Sequence, residues 1–149
     1  MSEQDVEALR ALYDAFNRCE IEPLLDGFDP EIEIDETEDL GYAALLLRVL
    51  GPRFVILSGR YRGIDEVRRL FESVWEISEW FRVEPLEVLE VERSVIVPLR
   101  MEAKARDTGI VGEALAVHLW TMRDNRGLRL RVFADTESAI SAARAQNVV

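Results

Sequence analysis

Apolar residues recur along this chain with two different periods, and the switch between them marks its architecture. Val6, Leu9, Leu12, Tyr13 and Phe16 fall three and four residues apart, with Glu7, Arg10, Asp14 and Arg18 between them. That spacing predicts an amphipathic helix over residues 5–19. A shorter helical piece is expected over residues 21–28. Asp29-Pro30 should stop it, because proline has no N–H to continue the ladder and restricts the residue before it. Ile32 and Ile34 then alternate with Glu31, Glu33 and Asp35 as a short strand. After an acidic turn at Glu36, Glu38 and Asp39, residues 40–50 predict a short apolar helix ended by Gly51-Pro52, and residues 54–57 a strand.

The helical period returns after Tyr61-Arg62-Gly63. Val67, Leu70, Phe71, Val74, Trp75 and Ile77 define a helix from Gly63 or Ile64 to about Ser78. Beyond it the period is two. Residues 81–92 read as strand, with Pro85 at a bulge or an edge because it cannot donate to a neighbour. Val95, Val97, Leu99, Met101, Ala103 and Ala105 form a long strand with one wet face. Residues 115–122 are apolar at both parities apart from His118 and Thr121, which predicts a central strand covered on both sides. Asp124-Asn125-Arg126-Gly127 is a hairpin turn into a last strand over residues 128–134, and Asp135-Thr136-Glu137-Ser138 caps a terminal helix. Helices followed by a meander predict an α+β cone: a strongly curved, mostly antiparallel sheet packed on about three main helices, with a hydrophobic pocket at its open end.

Composition narrows the partners. At 149 residues, without repeat or linker, residues 1–149 should form one domain, and 48% hydrophobic with 32% charged residues suits a globular chain. The net charge of −11 argues against nucleic acid and anionic membranes, and a neutral, mostly apolar small molecule is the expected partner. Cys19 is the only cysteine, so no internal disulfide can form, and no Cys/His spacing suggests a metal site. With no signal-peptide pattern at the start and no membrane-length apolar run, the cytoplasm is the simplest location.

Several stretches resemble the SnoaL-like polyketide cyclase domains of the nuclear transport factor 2-like superfamily, relatives of ketosteroid isomerase and scytalone dehydratase. They are Leu12-Tyr13-Asp14-Ala15-Phe16-Asn17, Phe28-Asp29-Pro30-Glu31-Ile32-Glu33, Tyr61-Arg62-Gly63, His118-Leu119-Trp120-Thr121-Met122-Arg123-Asp124 and Arg131-Val132-Phe133-Ala134-Asp135. The resemblance implies a homodimer and an isomerase, cyclase or dehydratase that works by acid–base catalysis without metal or organic cofactor. Because the superfamily also holds non-catalytic members, a ligand-binding or dimerisation module is the alternative. Laid on ketosteroid isomerase, the chain puts Asp35 near the general base, Leu12 at the oxyanion-stabilising tyrosine and Val117 at the protonated aspartate, so two of three roles are missing.

Asp35 and His118 are therefore the catalytic candidates. A buried carboxylate gains basicity, and imidazole is the side chain whose ordinary pKa lies nearest neutrality. The plainer readings are a solvated strand-end acid and a hydrogen-bonded structural histidine. The pleat puts His118 on a face with Trp120 and Met122, whereas the isomerase alignment turns it to the other. Tyr13, Tyr61 and Trp120 are candidate ligand contacts, though aromatic residues equally serve as core. Arg131 would hold a ligand oxygen if it faces inward and pair with surface acids if outward.

Overall fold

A computed structural model describes residues 3–36 and 59–146. The chain begins with α1 (Glu3–Asn17) and α2 (Ile21–Asp26), enters β1 (Phe28–Asp35), and continues through β2 (Arg60–Arg62) and α3 (Gly63–Ile77). Then come β3 (Ser78–Pro85), β4 (Leu89–Val91), β5 (Ser94–Ala105), β6 (Val111–Arg123), β7 (Arg126–Phe133) and α4 (Thr136–Gln146). The strands form one sheet in the order β2-β1-β7-β6-β5-β3, with β4 also on β5. Among the described residues only β1 and β7 run parallel; the other pairs are antiparallel. Register shifts between Phe28 and Glu33, between Ser78 and Trp80, and between Thr121 and Met122 are places where bulges bend and twist the sheet.

The alternation of each strand sorts side chains onto two faces. The inner face, with Ile32, Ile34, Val97, Trp120, Leu130 and Val132, packs on the apolar stripes of α1, α2 and α3 in one core. The outer face carries Ile96, Val117, Leu119 and Phe133 against Ala139 and Ala143 of α4. This is the curved α+β architecture read from the sequence, with α4 as a fourth helix on the far side. Three local devices hold the frame. The Asn17 amide donates to the Val83 carbonyl and accepts from the Val83 N–H, both at 2.8 Å, so α1 clips the edge strand β3. Asp135 Oδ1 accepts the Ser138 N–H at 2.7 Å and caps α4. Asp124 and Asn125, at φ 52° and 60°, make the β6–β7 turn with two successive left-handed residues.

Two local expectations change. Pro30 does not stop α2. The helix ends at Gly27, and β1 runs through Pro30 within the register shift. Gly27 is needed for closeness: a Cβ there would collide with the Leu12 side chain, and the Gly27 carbonyl accepts the Gly127 N–H at 2.9 Å. The central strand is also not covered on both faces throughout, since Leu115 is 60% exposed where α4 no longer reaches. The helix and strand expected over residues 40–50 and 54–57 lie outside the described residues.

Candidate active site on the inner face of the sheet

Tyr13, from the buried stripe of α1, meets β6 through its hydroxyl. The Trp120 indole Nε1 donates to the Tyr13 oxygen at 2.8 Å, and that oxygen lies 2.8 Å from His118 Nδ1. The three rings pack together, Tyr13 stacked on His118 at 5.8 Å and edge-on to Trp120 at 6.3 Å. Trp120 can lie flat because its neighbour is Gly127, whose added Cβ would come within 2.7 Å of the indole. Burial pushes the Tyr13 phenol well above its ordinary range, and burial alone drives His118 down to about 3. Both groups are therefore neutral at pH 7.

The pleat settles the face of His118. His118 pairs with Val132 on β7 and Val97 on β5, both in the inner core, whereas Val117 and Leu119 pack toward α4. The isomerase alignment is thus one residue out of step at two places. Tyr13, not Leu12, and His118, not Val117, are the side chains that meet; Leu12 is core beneath Gly27.

On β1 the same parity separates two adjacent acids. Asp35 pairs with Arg60 and Arg131, in line with Leu119 of the outer face, and its carboxylate lies 3.3 Å from Arg60 Nε. Glu36 follows Ile32 and Ile34 in the inward parity and extends the β1–β2 ladder by donating its N–H to the Gly59 carbonyl. Burial, and secondarily the charge of Asp35, raise the Glu36 carboxyl to about 7. Tyr61, opposite Ile34 and packed on the inner core, is also raised by burial and then by Glu36. Continuing the parallel register puts Glu36 in line with Val132 and His118, so two strand spacings, about 10 Å, separate their backbones.

Of the residues singled out in the sequence, the fold brings His118, Tyr13 and Trp120 into contact and sets Tyr61 on the same face. Asp35 and Arg131 go to the other. Arg131 donates to Gln146 of α4 at 3.0 Å, and its guanidinium sits 5.1 Å above the Phe133 ring. Glu36 was missed. Its signal was the i, i+2, i+4 run Ile32, Ile34, Glu36, hidden because Glu36 reads as the start of an acidic turn. Among the described residues no group of three or more His, Cys, Asp or Glu side chains is arranged to hold a metal ion.

A family model described as the SnoaL-like domain matches residues 9–129. The chain belongs to the SnoaL-like family. Solved structures agree on the fold. TerC, crystallised with polyporic acid, is 25% identical with a TM-score of 0.70, covering 97% of each chain. A nuclear transport factor 2-like protein of unknown function from Burkholderia pseudomallei is 22% identical, with a TM-score of 0.70, over 95% of this chain and 97% of its own. A protein with a ketosteroid isomerase-like fold from Catenulispora acidiphila, in complex with trimethylamine, is 10% identical, with a TM-score of 0.66, over 91% and 90%. No curated protein sequence matches the chain. For this SnoaL-like chain, no helix among the described residues is long and apolar enough to cross a membrane.

Proposed function

We propose that this SnoaL-like protein binds a small, mostly apolar molecule in a pocket on the inner face of its sheet and moves a proton on it without a cofactor, as an isomerase, cyclase or dehydratase. What supports the reading is the placement on one face of Glu36, whose carboxyl burial raises to about 7, and, two strands away, of the His118 imidazole anchored by Tyr13. A base works best when its pKa lies near the working pH, and a carboxyl near 7 meets that condition where one at 4.5 does not. Glu36, rather than the outward Asp35, takes the proton from a carbon next to a carbonyl. The C–H pair becomes a C=C bond to the carbonyl carbon as the C=O π pair moves onto oxygen, and the carbonyl re-forms as Glu36 returns the proton, to the same carbon or, where a C=C bond adjoins it, to the far carbon of that bond as its π pair shifts. Tyr61 and the aromatic floor around Trp120 orient the substrate. That TerC and the Catenulispora protein were crystallised with small organic molecules supports a ligand role for this fold. The same reading takes the protein as a cytoplasmic homodimer, joined through outer-face apolar residues such as Leu115 and Val111, which are 60% and 54% exposed.

The test is proton exchange in D2O at the carbon beside the carbonyl of a panel of apolar cyclic ketones, 2-tetralone among them. Wild type should accelerate exchange on at least one, and Glu36→Gln should lose about 10²-fold or more of it. Native mass spectrometry that finds a retained apolar compound, with no exchange on any ketone, would assign the pocket to binding alone.

A further inference from the structure

On the outer face, α4 covers the ground where Ile96, Val117, Leu119 and Phe133 lie. Beside it, strand register stands four arginines on β2, β1 and β7 in two rows. Arg62, Glu33, Arg129 and Thr121 make one row, and Arg60, Asp35, Arg131 and Leu119 the other. In a chain with 29 acidic and 18 basic residues, these two rows reverse the balance, with four arginines to two acids. Both acids serve the arginines of β2. Asp35 lies 3.3 Å from Arg60 Nε, and Glu33 lies 3.7 Å from Arg62 Nε.

Arg129 is left over. Among the described residues it forms no ion pair, and its Nε is shut off from solvent without a hydrogen-bond partner. A guanidinium does not shed its charge when covered, so a half-buried one without a counter-charge is costly to keep. Two further donors flank it. Arg131 stands about 7 Å along the same strand, held in place by Gln146 at 3.0 Å and by the Phe133 ring 5.1 Å away. Thr121, half-buried and directly opposite Arg129 on β6, adds a hydroxyl from about 5 Å to the side. The β1 acids are on the other flank of the two β7 arginines, matched by Arg60 and Arg62, so they do not fill this place.

We propose that Arg129, Arg131 and Thr121 form a phosphate-binding site on the outer face, at the foot of α4. Donors on two strands do not lie in one plane, which suits a tetrahedral oxyanion with an oxygen for each of them better than a planar carboxylate with two. The occupant is free phosphate or the phosphate end of a small metabolite. The site is on the reverse of the sheet from Glu36 and His118, so it stands or falls apart from the proton-transfer reading.

Nitrogen NMR of the arginine Nε–H groups in the ¹⁵N-labelled full chain reads the site directly, the Arg129 resonance being the one missing in Arg129→Gln. At constant ionic strength, inorganic phosphate should shift that resonance saturably in the millimolar range, and chloride should leave it in place. By calorimetry, Arg129→Gln should weaken phosphate binding at least about tenfold and Thr121→Val up to about tenfold, as expected for a charged and a neutral donor. Arg10→Gln, on α1 across the sheet, should leave it unchanged. If Arg129→Gln does not fold, Arg129→Lys removes the same resonance and keeps the charge without the planar fork, and it should weaken binding in its place. Tighter binding of glycerol 3-phosphate than of inorganic phosphate would assign the site to a phosphorylated metabolite, and equal binding to the free ion. A shift that follows ionic strength alone, acetate binding as tightly as phosphate, or an affinity unchanged by loss of Arg129 would each overturn the site.

Discussion

Asp35 and Glu36 are neighbours along the chain and opposites in surroundings, which is the clearest single-residue consequence of the pleat. Asp35 is ion-paired on the outer face, and its charge helps raise Glu36 on the inner one. Asp35 therefore tunes the proposed base rather than serving as it. The two perturbed groups also make opposed demands on stability. His118 ordinarily titrates at 6.5 and is held to about 3 when folded, so its contribution is complete above 6.5 and is lost as pH falls toward 3. Glu36 ordinarily titrates at 4.5 and is raised to about 7, so its contribution is complete below 4.5 and is lost as pH rises through 7. Between 4.5 and 6.5 the two slopes cancel. Urea unfolding across pH should therefore show, relative to wild type, a stability that climbs with pH over this window in Glu36→Gln and declines in His118→Gln. Parallel curves for all three proteins would contradict both perturbations.

At the scale of elements, the long periodic segments were legible because burial of one stripe or one parity leaves a regular mark. Residues 5–19, 64–78 and the alternating strand of β5 became the expected structures within a residue or two. What was illegible was phase. Because β6 is apolar at both parities, its pattern does not say which parity faces α1, and His118 could be set only once Val117 and Leu119 were seen under α4. Pro30 misled for a related reason, since a bulge lets proline sit in a strand without breaking a ladder it would otherwise serve. Asn17 is an interaction no pattern announces, because its partners are the backbone groups of Val83, 66 residues away. Asn17→Ala strands that N–H and carbonyl at a partly buried edge, and should cost about 1–3 kcal/mol. Hydrogen exchange should show the Val83 amide losing protection more than the amides of β6. Uniform loss across the sheet would mean that Asn17 stabilises the whole fold rather than this junction.

Across the whole molecule, the architecture was legible because the order of helices and strands leaves few ways to bury both the helical stripes and the inward parity of the strands. The site was half legible. His118, Tyr13, Trp120 and Tyr61 were recognisable as chemistry-bearing types and share the inner face, while strand phase puts Arg131 and Asp35 on the outer one. The proposed dimer is a property of the outer face, so light scattering at micromolar concentration should return twice the chain mass of 17.1 kDa. A single chain mass would remove the dimer without touching the inner face. The most direct measurement of the account is the titration of the Glu36 side chain by carbon NMR in protein labelled at glutamate, identified by the resonance missing in Glu36→Gln. One carboxyl should titrate near 7 and move downward in Asp35→Asn, where the neighbouring charge is gone. A Glu36 resonance titrating near 4.5, unmoved by Asp35→Asn, would contradict a proton-accepting carboxyl on the inner face.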